Sequence, residues 1–289
     1  MGPLMDVAAL EARRSGGQRT VLLDVRWVLG DPHGREHYLE GHLPGAVFVD
    51  LATDLAAPAA AERGRHPLPP PSEFQAAARR WGINDGDVVV AYDNSGNLAA
   101  ARLWWMLRNA GFQDVYLLDG GLAAWSAAGL PVEDGPVDVS ASNVSLEEGR
   151  MPAIDADTAT GWAGSGILLD ARAAERYRGE IEPVDPRAGH IPGALSSPTS
   201  ENLDEHGHFL PAHELRRRFE GLGISRGVPV AVYCGSGVTA AHEVAALEIA
   251  GFGAALYPGS FSEWSNNPAL PVVTGSEPDG GERPNLTGA

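Results

Sequence analysis

Short apolar runs and longer amphipathic stretches alternate along this chain. The runs of strand length are residues 21–26, 88–92, 115–118, 167–172 and 230–233. The stretches of helical length are residues 72–81, 98–109 and 239–250. Because buried strands that alternate with helices build parallel sheets covered on both faces, the pattern predicts an α/β fold.

Several landmarks occur twice, in the same order and at a nearly constant offset. The pairs are Asp24-Val25-Arg26 with Asp170-Ala171-Arg172, Gly41-His42-Leu43-Pro44-Gly45-Ala46 with Gly189-His190-Ile191-Pro192-Gly193-Ala194, the strand before Asp93 with the strand before Cys234, and Trp125 with Trp264. A repeat of this length predicts a duplicated domain.

The repeat divides the chain into two predicted domains, residues 1–130 and residues 153–275. Residues 131–152 are rich in Pro, Gly, Ser and acidic residues without periodicity, which is typical of a linker. Residues 276–289 are polar and are predicted to form a flexible tail. The large aromatic residues expected in the core are Trp104, Trp105, Trp125 and Trp264.

The charge balance of the 289-residue chain narrows the classes of partner. Asp and Glu total 38 against 21 Lys and Arg, a net charge of −17, which argues against nucleic acid or an anionic membrane. A single cysteine cannot form an internal disulfide, so we expect a reducing, cytoplasmic compartment. The first residues lack the order of a secretion signal, and no apolar run approaches the ~20 residues of a membrane helix, so no membrane association is expected.

The single cysteine, Cys234, follows a predicted strand and opens the loop Cys234-Gly235-Ser236-Gly237-Val238-Thr239. A helix is predicted to begin where this loop ends, and backbone N–H groups near a helix N-terminus favour a thiolate over a thiol. Ligands of open α/β sheets bind at the carboxyl ends of the strands. We therefore interpret Cys234 as a nucleophile; the alternative is a small buried hydrophobic residue. In the first copy Asp93 occupies the matching place.

These features resemble the rhodanese-type sulfurtransferases with two domains. The resemblance rests on the tandem Asp-x-Arg and Gly-His-x-Pro-Gly-Ala motifs and on the loop cysteine, and it covers nearly the whole chain. Further matching segments are Trp104-Trp105, Leu118-Asp119-Gly120-Gly121 and Gly259-Ser260-Phe261-Ser262-Glu263-Trp264. The resemblance implies two tandem rhodanese-like domains, each a mostly parallel sheet with helices on both faces.

Within that family the loop resembles the 3-mercaptopyruvate branch. The resemblance implies an enzyme that moves sulfur from 3-mercaptopyruvate through a Cys234 persulfide to a thiol, such as thioredoxin or a small thiol, or to cyanide, with release of pyruvate. Thiosulfate is a dianion that basic loop residues would attract, and Gly235 and Ser236 carry no charge. The alternatives are a thiosulfate:cyanide sulfurtransferase and a non-catalytic sulfur-carrier module.

The resemblance also assigns roles to individual residues. The family's 3-mercaptopyruvate members use two arginines for the substrate carboxylate, which implies Arg176 and, at a displaced position, Arg187. The loop residues expected to bind the substrate are Gly235, Gly237, Val238 and Thr239. A proton relay is implied from Ser236 to His42 and Asp31.

Simpler alternatives stay open for these side chains. Arg176 has Glu175 and Glu180 nearby in sequence as partners for a surface ion pair. His42 and His190 occupy matched turns, where each is suited to hold its own turn by hydrogen bonding.

Two other enzyme classes share part of the loop pattern. Gly235-Ser236-Gly237-Val238-Thr239-Ala240 matches a dinucleotide-binding fingerprint, but the next predicted strand has no acidic residue for a ribose. Cysteine phosphatases close their loop with an arginine that binds phosphate, where this loop has Thr239. The histidines show no metal-ligand spacing, and His242-Glu243 lacks the second histidine of a zinc motif. We therefore expect no cofactor and no metal.

Overall fold

The apolar runs of the first half form a parallel sheet. The structure, a computed structural model, describes residues 2–280. The first sheet contains β1 (Leu4–Met5), β2 (Thr20–Asp24), β3 (Val47–Phe48), β4 (Val88–Tyr92) and β5 (Val115–Leu118). Their order across the sheet is β1-β5-β4-β2-β3, and all pairs are parallel.

The second half repeats this sheet. Its strands are β6 (Ile167–Asp170), β7 (Leu195–Ser196), β8 (Val230–Tyr233) and β9 (Ala255–Leu256), in the order β7-β6-β8-β9. A parallel bridge between Ala153 and Leu256 continues the sheet where β1 stands in the first copy. The two strand orders therefore match position by position, and the predicted fold class and duplication are confirmed.

Helices connect the parallel strands, as right-handed crossovers require. Those of the first half are α1 (Val7–Ser15), α2 (Gly34–Glu40), α3 (Leu51–Asp54), α4 (Pro71–Arg80), α5 (Ala100–Asn109) and α6 (Gly121–Ala127). Those of the second half are α7 (Ala156–Gly161), α8 (Ala174–Arg178), α9 (Ala212–Gly221), α10 (Thr239–Ala250) and α11 (Ser260–Asn266). Short 3₁₀ turns lie at Trp162–Gly164 and Thr199–Asn202.

Local sequence explains where these helices begin and end. Helix α4 begins at Pro71, one residue before the predicted start, because proline lacks an N–H and suits the first helical position. Helix α10 ends at Gly251, whose φ of 88° is the left-handed conformation that glycine adopts without strain.

The largest hydrophobic cluster spans both halves, and each half has a smaller cluster of its own. Helices α5 and α10 pack against each other, and side chains of both belong to the same buried cluster. Trp104 and Trp105 of α5 are fully buried, and Trp125 and Trp264 are 1% exposed, as predicted. His242 of α10 also bonds through Nε2 to the Gly96 carbonyl oxygen at 3.1 Å. The Cys234 loop therefore begins one of the two helices that join the halves.

The segment predicted as a linker packs along the first half. Residues 131–152 contain no helix or strand beyond an isolated bridge of Glu133. However, Val144 is fully buried, and the Leu146 amide donates to Gln75 Oε1 at 2.9 Å. These contacts fix the segment to the surface of α4.

The predicted tail is partly ordered. The Gly193 amide donates to the Pro278 carbonyl at 2.7 Å, so residues up to 280 extend the second half. The rest of the predicted tail, residues 281–289, lies outside the described residues. Within residues 2–280, no helix is both long and apolar enough to cross a membrane.

Candidate active site

Cys234 lies where β8, a central strand of the second sheet, meets its loop. The Cys234 amide donates to Ser260 Oγ at 3.1 Å, and its carbonyl accepts from the Phe261 amide at 3.0 Å. Both partners belong to α11, so this helix fixes the start of the loop. Cys234 is a free cysteine, and the residue is 2% exposed.

The matching loop of the first half shows what such a loop holds. The Asp93 carboxylate accepts backbone N–H bonds from Ser95, Asn97 and Ala99, each at 2.8 Å, and from Ala100 at 3.1 Å. Four amide groups thus surround a negatively charged side chain at the first loop position. Such a cradle stabilises an anion.

The Cys234 loop leaves three of the four corresponding amide groups free, and the fourth, that of Ala241, donates to the Val238 carbonyl at 3.2 Å. Within residues 2–280, the backbone N–H groups of Ser236, Val238 and Ala240 have no hydrogen-bond acceptor. The fourth loop residue is glycine in both copies, with φ of 73° at Gly96 and 76° at Gly237. In the first loop the amide groups bind the carboxylate of Asp93. In the second loop the free amide groups can instead bind the thiolate or the persulfide of Cys234.

Ser236 is paired with a histidine from the first half. Its Oγ lies 2.8 Å from His66 Nδ1. Burial, together with the positive charges of Arg102 and Arg65, lowers the pKa of His66 to about 4. The imidazole is therefore neutral at physiological pH, and a neutral ring protonated at Nε2 accepts the Ser236 hydroxyl proton in this hydrogen bond.

Close packing brings the His66 segment to the loop. Gly64 has a φ of 84°, and a Cβ there would lie 2.7 Å from both the Gly259 carbonyl oxygen and Ser262 Oγ. The next amide, that of Arg65, donates to Ser262 Oγ at 3.0 Å. Only glycine permits this approach, which places the following two side chains against Gly235 and Ser236 of the loop.

Arg102 is a buried cation beneath the loop. It has no exposed surface, and it donates to the carbonyls of Gly237 at 3.1 Å and His66 at 2.9 Å. Within residues 2–280 no carboxylate pairs with it. Burial lowers the pKa of Arg102 to about 10, and negative charge on Cys234 opposes this change. A buried cation without a carboxylate partner favours negative charge on the neighbouring loop.

Arg176 lies beside the loop, as expected for a substrate-binding residue. Its Nη2 donates to Glu182 Oε1 at 2.6 Å and to Asp185 Oδ2 at 3.0 Å. A Cβ at Gly235 would lie 3.5 Å from Arg176 Nη1. The ion pairs weighed from sequence, with Glu175 and Glu180, are not the ones formed. Carboxylate binding by Arg176 stays a prediction.

The structure places Arg187 away from the loop. Its guanidinium donates to four backbone carbonyls at and after the end of α11: those of Trp264, Ser265, Asn267 and Leu270, at 2.7 to 2.9 Å. These bonds satisfy carbonyls that the end of a helix leaves without partners. The expectation that Arg187 binds substrate is corrected: its donors already stabilise this turn.

Substitution of Arg187 tests this structural role. We expect Arg187→Met to lower the free energy of unfolding by about 2 kcal/mol, because four charge-assisted hydrogen bonds are lost. The rate of Cys234 modification in the folded protein should change less than twofold. Urea denaturation measures the first effect, and Arg187→Lys, which keeps one charged donor, is the matched control. A variant of unchanged stability with a raised substrate KM would restore the binding role.

His42 and Asp31 are not brought to Ser236. His42 is fully buried, stacks on Tyr38 at 4.2 Å between ring centroids, and lies 3.0 Å through Nε2 from the Gly135 carbonyl oxygen. His190 repeats this arrangement on Tyr177. The alternative that both histidines hold their turns therefore describes the observed contacts. The expectation that His42 contacts Ser236 is corrected, because the histidine that lies beside Ser236 is His66.

Asp31 belongs to a different part of the surface. Its carboxylate accepts from the His33 amide at 2.9 Å and lies 3.0 Å from His37 Nε2. It lines a cavity of about 320 Å³ at the first sheet, together with Trp27 and Ser95. The structure gives it no contact with His66 or Ser236, so the place expected for Asp31 beside Ser236 is corrected.

Sequence reasoning missed three residues at this site: Arg65, His66 and Arg102. His66 and Arg65 stand before a proline run, Pro67-Leu68-Pro69-Pro70-Pro71, whose rigidity is the one local signal of a fixed position. The contact of His66 with Ser236 spans 170 positions of the chain, so no local pattern distinguishes His66 from the other histidines.

Comparisons with known proteins agree with this architecture. The rhodanese-like domain family matches residues 6–128 and 155–267. The chain is 46% identical over 278 residues to Mycobacterium tuberculosis SseB, provisionally named a thiosulfate sulfurtransferase, which covers 94% of this chain and 97% of that protein. It is 47% identical over 281 residues to a Pseudomonas aeruginosa protein provisionally named a 3-mercaptopyruvate sulfurtransferase, which covers 94% and 98%.

A solved structure has the same fold over most of the chain. The crystal structure of SseA from Escherichia coli, described as a 3-mercaptopyruvate sulfotransferase with the rhodanese fold, superposes with a TM-score of 0.79 at 31% identity. The match covers 90% of this chain and 99% of that one.

Proposed function

Because this chain belongs to the family of rhodanese-like sulfurtransferases with two domains, we propose that it transfers sulfur from 3-mercaptopyruvate through a persulfide on Cys234. The observation that carries the proposal is the Cys234 loop, which has free amide groups where the first copy surrounds a carboxylate. A negatively charged sulfur fits this cradle before and after it accepts a second sulfur atom.

The first half-reaction forms one bond and breaks one. The Cys234 thiolate forms an S–S bond to the sulfur of 3-mercaptopyruvate, and the C–S bond breaks. Its electron pair leaves on the enolate of pyruvate, which then takes up a proton. In the free protein, neutral His66 holds the Ser236 hydroxyl in place by accepting its proton in a hydrogen bond. In the substrate complex, this single proton turns from His66 to the oxygen on which the enolate charge develops.

The second half-reaction needs an acceptor from outside. Cys234 is the only cysteine, so no second thiol of this chain can attack the persulfide. We propose thioredoxin or a small thiol as the acceptor, with cyanide as a laboratory substitute. A reducing, cytoplasmic location is proposed on the same ground, since it supplies thiols and keeps Cys234 reduced.

The proposal is tested by following both half-reactions. After addition of 3-mercaptopyruvate, we expect mass spectrometry to detect one extra sulfur atom on Cys234, and pyruvate to appear in equal amount. Addition of a thiol should remove that sulfur and start steady turnover with ping-pong kinetics. Treatment with iodoacetamide before the donor is the control and should prevent both products. A protein that turns over without a persulfide would contradict the proposal.

Thiosulfate is the second candidate donor. The M. tuberculosis relative carries that name, and two arginines lie beside Gly235 although the loop itself has no charge. The ratio of kcat/KM for the two donors decides between them, and we expect 3-mercaptopyruvate to be the better donor. If a persulfide forms on Cys234 but its outer sulfur atom is never transferred to a thiol, the protein is a sulfur carrier.

A further inference from the structure

Two arginines, one from each half of the chain, meet beside the nucleophile. A Cβ placed on Gly235, the residue after Cys234, would lie 2.9 Å from Arg65 Nη2 and 3.5 Å from Arg176 Nη1. Any side chain larger than hydrogen would therefore displace Arg65. Gly235 keeps both guanidinium groups in contact with the loop.

Acidic residues hold these two arginines from the far side. Asp185 accepts hydrogen bonds from both Arg65 Nη1 and Arg176 Nη2, and Glu182 accepts from Arg176 Nε and Nη2. The Asp185 side chain is 1% exposed, and those of Arg65 and Arg176 are 25% and 13% exposed. A buried carboxylate that bridges two guanidinium groups fixes their orientation.

The nitrogen atoms that face Gly235 are the ones left without partners. Within residues 2–280, neither Arg65 Nη2 nor Arg176 Nη1 donates a hydrogen bond, whereas the nitrogens that face Asp185 and Glu182 do. Arg65 Nε is also buried and without an acceptor. Unused donors on two oriented cations next to a nucleophile fit the oxygen atoms of an anion.

We propose that Arg65 of the first half, paired with Arg176, binds the oxyanion group of the sulfur donor. This inference rests on the proposed function and extends it: Arg65 supplies the second cation, which Arg187 does not provide. The shared chemistry is a small anion that carries both the transferable sulfur and an oxyanion group, either the carboxylate of 3-mercaptopyruvate or the sulfonate-like end of thiosulfate. Asp185 is a positioning residue for both arginines.

Alkylation of Cys234 tests the charge directly, without any sulfur transfer. Iodoacetate and iodoacetamide react with the same thiolate and differ in one negative charge, so the ratio of their rates reports the binding of an anion beside the cysteine. We expect Arg65→Gln to lower the iodoacetate to iodoacetamide ratio about tenfold. Arg65→Lys should retain part of the ratio, because it keeps the charge but not the fork of donors.

The matched control is Arg63→Gln, an exposed arginine two residues away that removes the same net charge. It should leave the ratio as in the wild type. Equal ratios in Arg65→Gln and wild type would overturn the proposal, provided that the melting temperatures agree. If Arg65→Gln does not fold, Arg65→Lys is compared with the wild type instead. A lower iodoacetate to iodoacetamide ratio in Arg65→Lys supports the proposal, and an equal ratio overturns it.

Steady-state kinetics distinguish the two anions and separate this proposal from the function itself. In Arg65→Gln we expect KM to rise about tenfold while kcat changes less. A rise for 3-mercaptopyruvate identifies its carboxylate as the bound group, and a rise for thiosulfate identifies its oxygens. Unchanged KM values for both donors would refute the role of Arg65. A wild-type protein inactive with both donors would refute the proposed function, while the alkylation ratio would still test the arginine pair.

Discussion

Replacing Cys234 by serine should reduce sulfur transfer at least about 10⁴-fold, because an alcohol at this position cannot form a persulfide. Pyruvate release from 3-mercaptopyruvate measures the loss, and mass spectrometry of the intact chain should detect no added sulfur. Serine is nearly isosteric with cysteine, and the backbone bonds of Cys234 to Ser260 and Phe261 do not involve the thiol. The fold is therefore expected to survive the substitution.

The control for this experiment is the melting temperature, which should change by no more than a few degrees. Cys234→Ala should behave in the same way, since both variants lack sulfur. Release of pyruvate at the wild-type rate by either folded variant would disprove the role of Cys234 as nucleophile.

Replacement of His66 should produce the second largest loss, and it should depend on the donor. We expect His66→Ala to lower kcat for 3-mercaptopyruvate about 10²- to 10³-fold, because the Ser236 hydroxyl loses the group that orients it. The loss with thiosulfate should be less than tenfold, since sulfite leaves as a stable anion without help from a hydroxyl. Initial rates with both donors measure the difference.

The pH dependence follows from the same contact. The pKa of His66 is held at about 4, so the neutral imidazole that accepts from Ser236 persists as the pH falls through 6.5, where an exposed histidine becomes charged. We expect the rate of pyruvate release from 3-mercaptopyruvate to fall through protonation of His66 only as the pH approaches 4.

His42 provides the matched control for His66. His42→Asn should lower stability, because the turn contacts of a buried imidazole are lost, but kcat of the folded protein should stay within about threefold of wild type. If His42→Asn and His66→Ala reduced kcat equally, the relay would have to be reassigned.

The fold could be predicted from sequence because its signals are local and repeated. The runs at β4, β5 and β8 are short and nearly all apolar, as strands buried on both faces require. Gly251 marks the end of α10 by its backbone conformation, which few other residues adopt. Because the motifs repeat in the same order, the sheet predicted for the first half could also be predicted for the second.

The site was predictable only where it coincides with the loop. Cys234 and Ser236 are neighbours in sequence, so their proximity needs no tertiary information. His66, Arg65 and Arg102 reach the loop through contacts between the halves, and their local sequences resemble ordinary surface loops and helices. Arg187 shows the opposite case. Its sequence position after Arg176 suggested that it binds the substrate, but its guanidinium is bound to carbonyls at the end of α11.

The half without a cysteine supplies three of the side chains that lie against the Cys234 loop of the other half. Arg65, His66 and Arg102 all come from it, and Arg102 reaches the loop on a helix buried between the sheets. A fragment restricted to residues 153–275 would retain the sulfur atom but neither the histidine nor the two cations. Loss of the first half would therefore remove these groups even though Cys234 stays, so we expect sulfur transfer to need both halves.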